Sequence, residues 1–317
     1  MSGYDVLVIG EPMIELTSTD PLDAAVTFRL SFSGDALNAA AAAAAAGART
    51  ALLTRVGDDP LGRRLLERIA ELGVEPIVRL DPAAPTGAYL SGADPTGQAE
   101  FVYLRRGSAA SRLSPDDLDP DLLATTSCLL VSGITAALSA SATETVLAAA
   151  SAVAAAGGAV VYDPNFRPRL TTPAAALDVL ERVAPHAALV TPSCPGDAEP
   201  LLGTADPGEA AERVRAAGAR AAAVTMGADG VLLLTGAPEP TIVPPVRPDR
   251  VVDQTGAGDA LAGTAAARLA LGDPVEVAVA LGTAAAALSL AGEGGTGRVP
   301  TLAETRAALS RVRPAGD

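Results

Sequence analysis

Residues 253–259, Asp-Gln-Thr-Gly-Ala-Gly-Asp, run straight into a small-residue helix expected over Ala260–Leu271. Gly256 and Gly258 let the backbone pass close to a ligand, and the first turn of a helix offers unpaired N–H groups to an anion. Asp259 stands beside the place where that anion would rest. An anion cradle with a carboxylate at its mouth suits phosphoryl transfer to a hydroxyl: the amides stabilise charge and the carboxylate accepts the proton. The segment is not a dinucleotide fingerprint, because position 261 is Leu and the next glycine is Gly263. A Gly-Ala-Gly-Asp run also ends many ordinary helices, so the rest of the chain has to supply its context.

Composition removes several other chemistries. All 23 basic residues are Arg and none is Lys. A P-loop, a protein-kinase site and a Schiff base each need a lysine. The single histidine, His186, has no nucleophile motif near it and reads as a surface or loop residue. Two cysteines, Cys128 and Cys194, are too few for a structural zinc site or a disulfide framework. Carboxylates, arginines, hydroxyls and backbone amides are left to do the chemistry. A net charge of −14 argues against nucleic acid and anionic membrane as partners, and it requires any phosphate site to be locally positive. The N-terminus has no basic region and leads directly into a strand, and the alanine-rich runs are interrupted by Gly, Ser or Thr. A cytoplasmic protein is expected.

The elements that must position these groups follow from hydrophobic pattern. Strands are expected at Val6–Ile9, Ala51–Val56, Cys128–Val131, Ala159–Tyr162, Ala187–Val190 and Ala221–Thr225. Helices are expected at Ala36–Ala46, Pro60–Leu72, Ala142–Ala156, Ala174–Val183 and Pro207–Ala217, with a mostly helical end from Gly256 to Arg311. Such alternation implies an α/β fold with a parallel sheet covered on both faces. Two turn-rich stretches, Pro12–Phe32 and Pro76–Arg106, break the rhythm and read as a small β-domain. They hold five of the eight aromatic residues, Phe28, Phe32, Tyr89, Phe101 and Tyr103. Along a strand Phe101–Arg106, Phe101, Tyr103 and Arg105 share one face, which could grip a polyol and a carboxylate or could simply be solvated. Ligands of open parallel sheets sit at the carboxyl ends of the strands. There Gly10-Glu11, Ser132-Gly133-Ile134-Thr135, Asp163-Pro164-Asn165-Phe166-Arg167, Thr191-Pro192-Ser193 and Thr225-Met226-Gly227-Ala228-Asp229-Gly230 follow the strands.

With these residues assembled, the chain resembles the PfkB (ribokinase-like) carbohydrate kinases almost end to end. The resemblance rests on Gly10-Glu11, on Ser33-Gly34-Asp35-Ala36-Leu37-Asn38, on Val56-Gly57-Asp58-Asp59-Pro60-Leu61-Gly62 and on Asp253–Asp259. Within the family it is most similar to 2-keto-3-deoxygluconate kinases, through Gly10–Leu16, Tyr103–Ser111, Ser132–Ser139 and Asp163–Arg167. The resemblance implies a three-layer α/β/α sandwich with a mostly parallel central sheet and a small β-sheet lid. Residues 1–11, 33–75 and 107–317 would form the catalytic domain, and 12–32 and 76–106 the lid. It implies that Asp259 is the catalytic base and that Gly256, Ala257 and Gly258 give amides to the transferring phosphoryl group. Gly34, Asn38, Tyr89, Tyr103, Arg105 and Arg167 would contact a sugar acid. Ser193, Thr225, Gly227, Gly230 and Gly258 would line the nucleotide site. ATP and Mg²⁺ are implied, the metal held largely through water, and a monovalent cation is left open. A homo-oligomer, dimer or higher, through the lid is implied too.

Three departures stand out. Ser33-Gly34 replaces the more usual Gly-Gly, and Gln254 replaces a Thr. The family's Asn-x-x-Glu motif is not clean after Ser193, where Asp197 or Glu199 could stand in. The activity implied is ATP-dependent phosphorylation of a primary hydroxyl, of 2-keto-3-deoxygluconate to its 6-phosphate. The alternative is a neutral-sugar kinase of fructokinase or ribokinase type; a non-catalytic sugar sensor would have no use for Asp259.

Overall fold

Alternate residues of the central strands supply two separate cores. In Val6–Ile9, Leu7 and Ile9 face one apolar layer while Val6 and Val8 face the other. The computed structural model describes residues 3–92, 100–237 and 239–311. Its strands are β1 (Val6–Ile9), β2 (Met13–Thr17), β3 (Arg29–Ser33), β4 (Thr50–Gly57), β5 (Val74–Asp81), β6 (Ala88–Gly92) and β7 (Glu100–Leu104), followed by β8 (Cys128–Ser132), β9 (Ala159–Asp163), β10 (Leu189–Val190), β11 (Ala222–Thr225), β12 (Val231–Leu234) and β13 (Thr241–Val243). A nine-stranded sheet runs β13-β12-β11-β10-β9-β8-β1-β4-β5, parallel from β11 to β5 and closed by an antiparallel β12–β13 hairpin edge. The parallel strands read as nearly continuous apolar runs because helices cover both faces.

One layer packs helices Ala140–Ala155, Pro173–Val183 and Pro207–Ala216 against the sheet, and the other packs Asp35–Ala45, Pro60–Glu71, Ala257–Ala270 and Val275–Ser289. The result is the expected three-layer α/β/α sandwich. Local signals set the helix starts. Asp59 accepts hydrogen bonds from Leu61 N and Gly62 N, both 2.9 Å, with Pro60 in the first turn. Alanine-rich helices allow close approach: a Cβ on Gly263 would collide with the carbonyl oxygen of Ala39 where Ala257–Ala270 crosses Asp35–Ala45. These two helices carry Asp259 and Asn38.

The lid is a separate four-stranded sheet, β3-β2-β6-β7. Its register puts Ser31, Glu15, Tyr89 and Tyr103 in one row. The opposite face is apolar apart from Glu100 at the end of β7, with Ile14, Leu16, Leu30, Phe32, Ala88, Leu90, Val102 and Leu104.

Several boundaries differ from the sequence reading, and four of them have a physical reason. Residues 76–81, placed in the lid, belong to β5, which pairs with all eight residues of β4 at the edge of the main sheet. An edge strand is half solvated, so its alternation looks like that of a two-faced lid strand. Strand β7 stops at Leu104, which leaves Arg105 outside it. Strand β10 is confined to Leu189–Val190, because Ala187 N bonds Ala184 O and closes the preceding turn. The helix expected from Ala260 begins at Ala257, since Gly256 at φ 82° caps it in a left-handed conformation that glycine adopts freely. Among the described residues no helix is long and apolar enough to cross a membrane.

Candidate active site

Asp259 is the third residue of helix Ala257–Ala270 and lies within the turn whose amides lack intrahelical partners. Its carboxylate is held from two sides. Asn38 Nδ2 donates to Oδ2 at 2.8 Å and Asn165 Nδ2 donates to Oδ1 at 3.4 Å. Asn38 is itself fixed by Ser33 Oγ, which donates to its Oδ1 at 3.2 Å. Asn165 takes φ 40°, a conformation Asn tolerates, and its N–H donates to Asp163 Oδ1 at 3.1 Å.

The helix cradle is open where a ligand would need it. A Cβ on Gly258 would meet no atom within 4 Å, whereas Gly256 packs beside Asn38 and Gly295. Asp253 braces the loop: Thr255 N and Oγ1 donate to its Oδ1 at 2.8 and 2.7 Å, and Gly294 N donates to Oδ2 at 2.8 Å. Burial, followed by the negative charge of Asp35, pushes the Asp259 carboxyl up to about 7, while Asn38 and Arg167 pull it down. Part of Asp259 still faces the open site, but protein surrounds its carboxylate closely enough for desolvation to dominate. A carboxylate tuned near neutrality is a far better proton acceptor than an ordinary Asp.

Gly34, at φ 112°, lets the chain turn into helix Asp35–Ala45; a Cβ there would lie 2.5 Å from Glu11 O. Tyr89 is buried, and its hydroxyl donates to Glu15 Oε1. Phe101 and Tyr103 lie against Tyr89, with ring centroids 5.9 Å away in each case.

Arg105 is not the freely offered cation that strand alternation pictured. It is 6% exposed, and its Nη2 lies 2.5 Å from Oε2 of Glu11, which is fully buried. The alignment is too poor for a hydrogen bond, and Arg105 Nε also lacks an acceptor. Ser108 Oγ donates to the other Glu11 oxygen. Burial raises the Glu11 carboxyl while Arg105 opposes the rise. Arg167 is exposed, donates to Phe166 O at 3.0 Å, and forms no salt bridge among the described residues. It lowers the proton affinity of both Asp163 and Asp259, which places its charge near both carboxylates.

On the other side, Ser193 bridges to Thr225 between strands. Asp197 binds this region together: Ser193 N and Oγ donate to its Oδ2 at 2.7 and 2.6 Å, and Phe166 N donates to Oδ1 at 2.6 Å. Of the two acids left open by the sequence, Asp197 is therefore spent on the loops and Glu199 is the exposed one. Gly227, at φ 58°, has open space around its Cβ position, but a Cβ on Gly230 would strike Val243 O, so Gly230 also has a packing reason. Among the described residues no three His, Cys, Asp or Glu side chains gather to hold a metal.

Sequence reasoning missed Asn165 and Asp35 as site residues. Their signals were present: an Asn in a segment richer than a turn needs, and an acid at the start of the helix that carries Asn38.

A glycine-capped helix, a held carboxylate and a lid over a parallel sheet define a phosphotransferase of the ribokinase fold. The model of the pfkB family carbohydrate kinases matches residues 4–302, and the chain belongs to that family. It is 34% identical over 320 residues to a 2-dehydro-3-deoxygluconokinase of Thermoproteus tenax, covering 97% of this chain and 94% of that one. It is 33% identical over 291 residues to a 2-dehydro-3-deoxygalactonokinase of Haloferax volcanii, covering 90% of each. A ribokinase II structure from E. coli, solved in complex with ATP and Mg²⁺, superposes with a TM-score of 0.88 at 24% identity, covering 98% of this chain and all of that one. The protein is a carbohydrate kinase.

Proposed function

We propose that this kinase transfers the γ-phosphoryl group of Mg·ATP to the primary hydroxyl of a small sugar acid, 2-keto-3-deoxygluconate giving its 6-phosphate. The observation that carries the reading is the Asp259 carboxylate, held by Asn38 and Asn165 in the first turn of a glycine-capped helix, where Ala257 N makes only a long 3.3 Å bond to Gln254 O. The substrate oxygen attacks the γ-phosphorus, its proton passes to Asp259, and the bond to the β–γ bridging oxygen breaks, leaving ADP with the electron pair. The amides of Gly256, Ala257 and Gly258 stabilise charge on the transferring group, in the place of the lysine this chain lacks. Mg²⁺ would be held mainly through the nucleotide's phosphates and water, since the described residues offer no cluster of ligating side chains, and would neutralise charge on the transferring group. Ser193, Thr225, Gly227 and Gly230 flank the nucleotide at the strand ends.

Arg167 is the cation for the substrate carboxylate, because it is exposed beside the base and unspent on any acid among the described residues. Arg105, steadied by Glu11, adds donors from the lid side, and Gly34, Tyr89 and Tyr103 shape the wall for the polyol. The pairing of Arg105 with Glu11 is the one feature that favours a neutral sugar, since it cancels a charge. Substrates named for the two relatives, a gluconate and a galactonate derivative, favour the acid. The apolar outer face of the lid, with Val102 48% and Leu104 58% exposed, is covered by a second copy in a homodimer. Dependence on ATP fits a cytoplasmic enzyme.

Asp259→Asn tests the reading. The variant folds, binds nucleotide and loses turnover of 2-keto-3-deoxygluconate by about 10³-fold or more; near-normal turnover would sink the assignment of the base.

A further inference from the structure

A cavity of about 20 Å³ lies beside the base, with Asp35, Ser132, Asp163 and Asp259 as its polar wall and residues of β1 and β8 as its apolar wall. That volume holds one water. Asp35 is 8% exposed. Ser132 Oγ donates to its Oδ2 at 2.5 Å, while its Oδ1 is buried with no hydrogen-bond partner. A buried carboxylate oxygen without a donor is costly, and a water shared with neighbouring carboxylates removes that cost. The cluster is too dispersed to chelate a cation, for no three acids gather to do so among the described residues. Asp35 and Asn38 are three residues apart on one helix and so share a face. One turn of helix thus presents a hydrogen-bond donor and a negative charge to the same base.

We infer that Asp35 is a positioning residue for phosphoryl transfer, acting through a water in this cavity that links its free Oδ1 to Asp259, and that its charge keeps the base receptive to the hydroxyl proton. This rests on Asp259 being the base. The titratable and charged groups facing Asp259 are Asp35 from helix Asp35–Ala45, Asp163 from the end of β9, whose carboxyl burial pushes well up towards the neutral form, and the cation Arg167 from the loop beyond it. Asn38 and Asn165 are its neutral donors. Strands β1 and β8 add to the cavity only apolar residues and Ser132. The buried residues of helix Val275–Ser289 carry no charge, and Asp253, on the loop before helix Ala257–Ala270, is spent on Thr255 and Gly294. Asp35 is the largest electrostatic cause of the raised proton affinity of Asp259, and Arg167 opposes it.

The sign is definite. The base works deprotonated, so activity falls as pH drops through its pKa. Removing the charge of Asp35 lowers that pKa and moves the acid limb to lower pH. The test is the pH profile of kcat/KM for the wild type, Asp35→Asn, Asp35→Ser and Asp259→Asn, with folding checked by thermal melting and nucleotide binding. Both neutral variants at Asp35 are expected to shift the acid limb down by about one pH unit. They should also lower the plateau about 3- to 10-fold, because a weaker base accepts the proton less readily. Asp35→Glu, which keeps the charge, should retain the wild-type limb. An acid limb that stays in place or moves up in a folded neutral variant, or a uniform loss at every pH, overturns the inference. If Asp259→Asn is inactive while the limb stays in place, only the role of Asp35 fails; if Asp259→Asn turns over normally, the reading of the base has failed instead.

Discussion

Asp259 draws its reactivity from neighbours that oppose one another. Asn38 donates to it and favours the ionised form, while burial and Asp35 favour the protonated one. Asn38→Ala removes a hydrogen bond to a charged acceptor, worth about 1.5–3 kcal/mol. Its kcat should fall about 10- to 100-fold, and the acid limb of kcat/KM should move up, because the group that lowers the pKa is gone. Steady-state kinetics across pH checks both; an unchanged limb would show that Asn38 serves packing alone. The residue types at Asp259, Asn38 and Gly34 were legible from the sequence because each sits in a short motif with a backbone reason. The state of Arg105 was not. Strand alternation predicted its face, but its partner Glu11 lies 94 positions away, and only the lid topology brings the two together.

At the scale of elements, the site depends on one helix crossing. Ala257–Ala270 and Asp35–Ala45 approach so closely that Gly263 touches the Ala39 backbone, and they carry Asp259, the proposed base, and its donor Asn38. Gly263→Ala would force them apart, at a cost of about 1–3 kcal/mol from overpacking. It should also lower kcat although it touches no substrate; denaturant unfolding and kinetics measure the two effects. Wild-type stability in that variant would mean that the crossing yields without strain. The hydrophobic pattern revealed most of the central strands and helices because parallel strands buried on both faces leave an unmistakable apolar run. It failed at the edges. Residues 76–81 of β5 alternate like a lid strand, and the short β12–β13 hairpin is not among the expected strands, since edge strands mix burial and exposure.

For the molecule as a whole, the acidic balance and the apolar lid face are the features that reach beyond the site. A net charge of −14 leaves phosphate binding to helix amides and a few arginines, so salt should affect substrate affinity modestly. The lid exposes Val102 and Leu104 beside Leu90 and Leu16, a continuous apolar face on a thin sheet. Leu104→Glu is expected to convert a dimer into a monomer in sedimentation experiments; a wild type already monomeric at micromolar concentration would dismiss the lid contact. The central claim is the transfer itself. Its most direct test is ADP release from Mg·ATP with 2-keto-3-deoxygluconate, 2-keto-3-deoxygalactonate, 2-ketogluconate, fructose, ribose and adenosine. The account predicts a strong preference for the keto-deoxy acids, with a KM that rises about 10- to 100-fold in Arg167→Ala as a charged contact is lost. A preference for fructose or ribose, indifferent to Arg167, would contradict it.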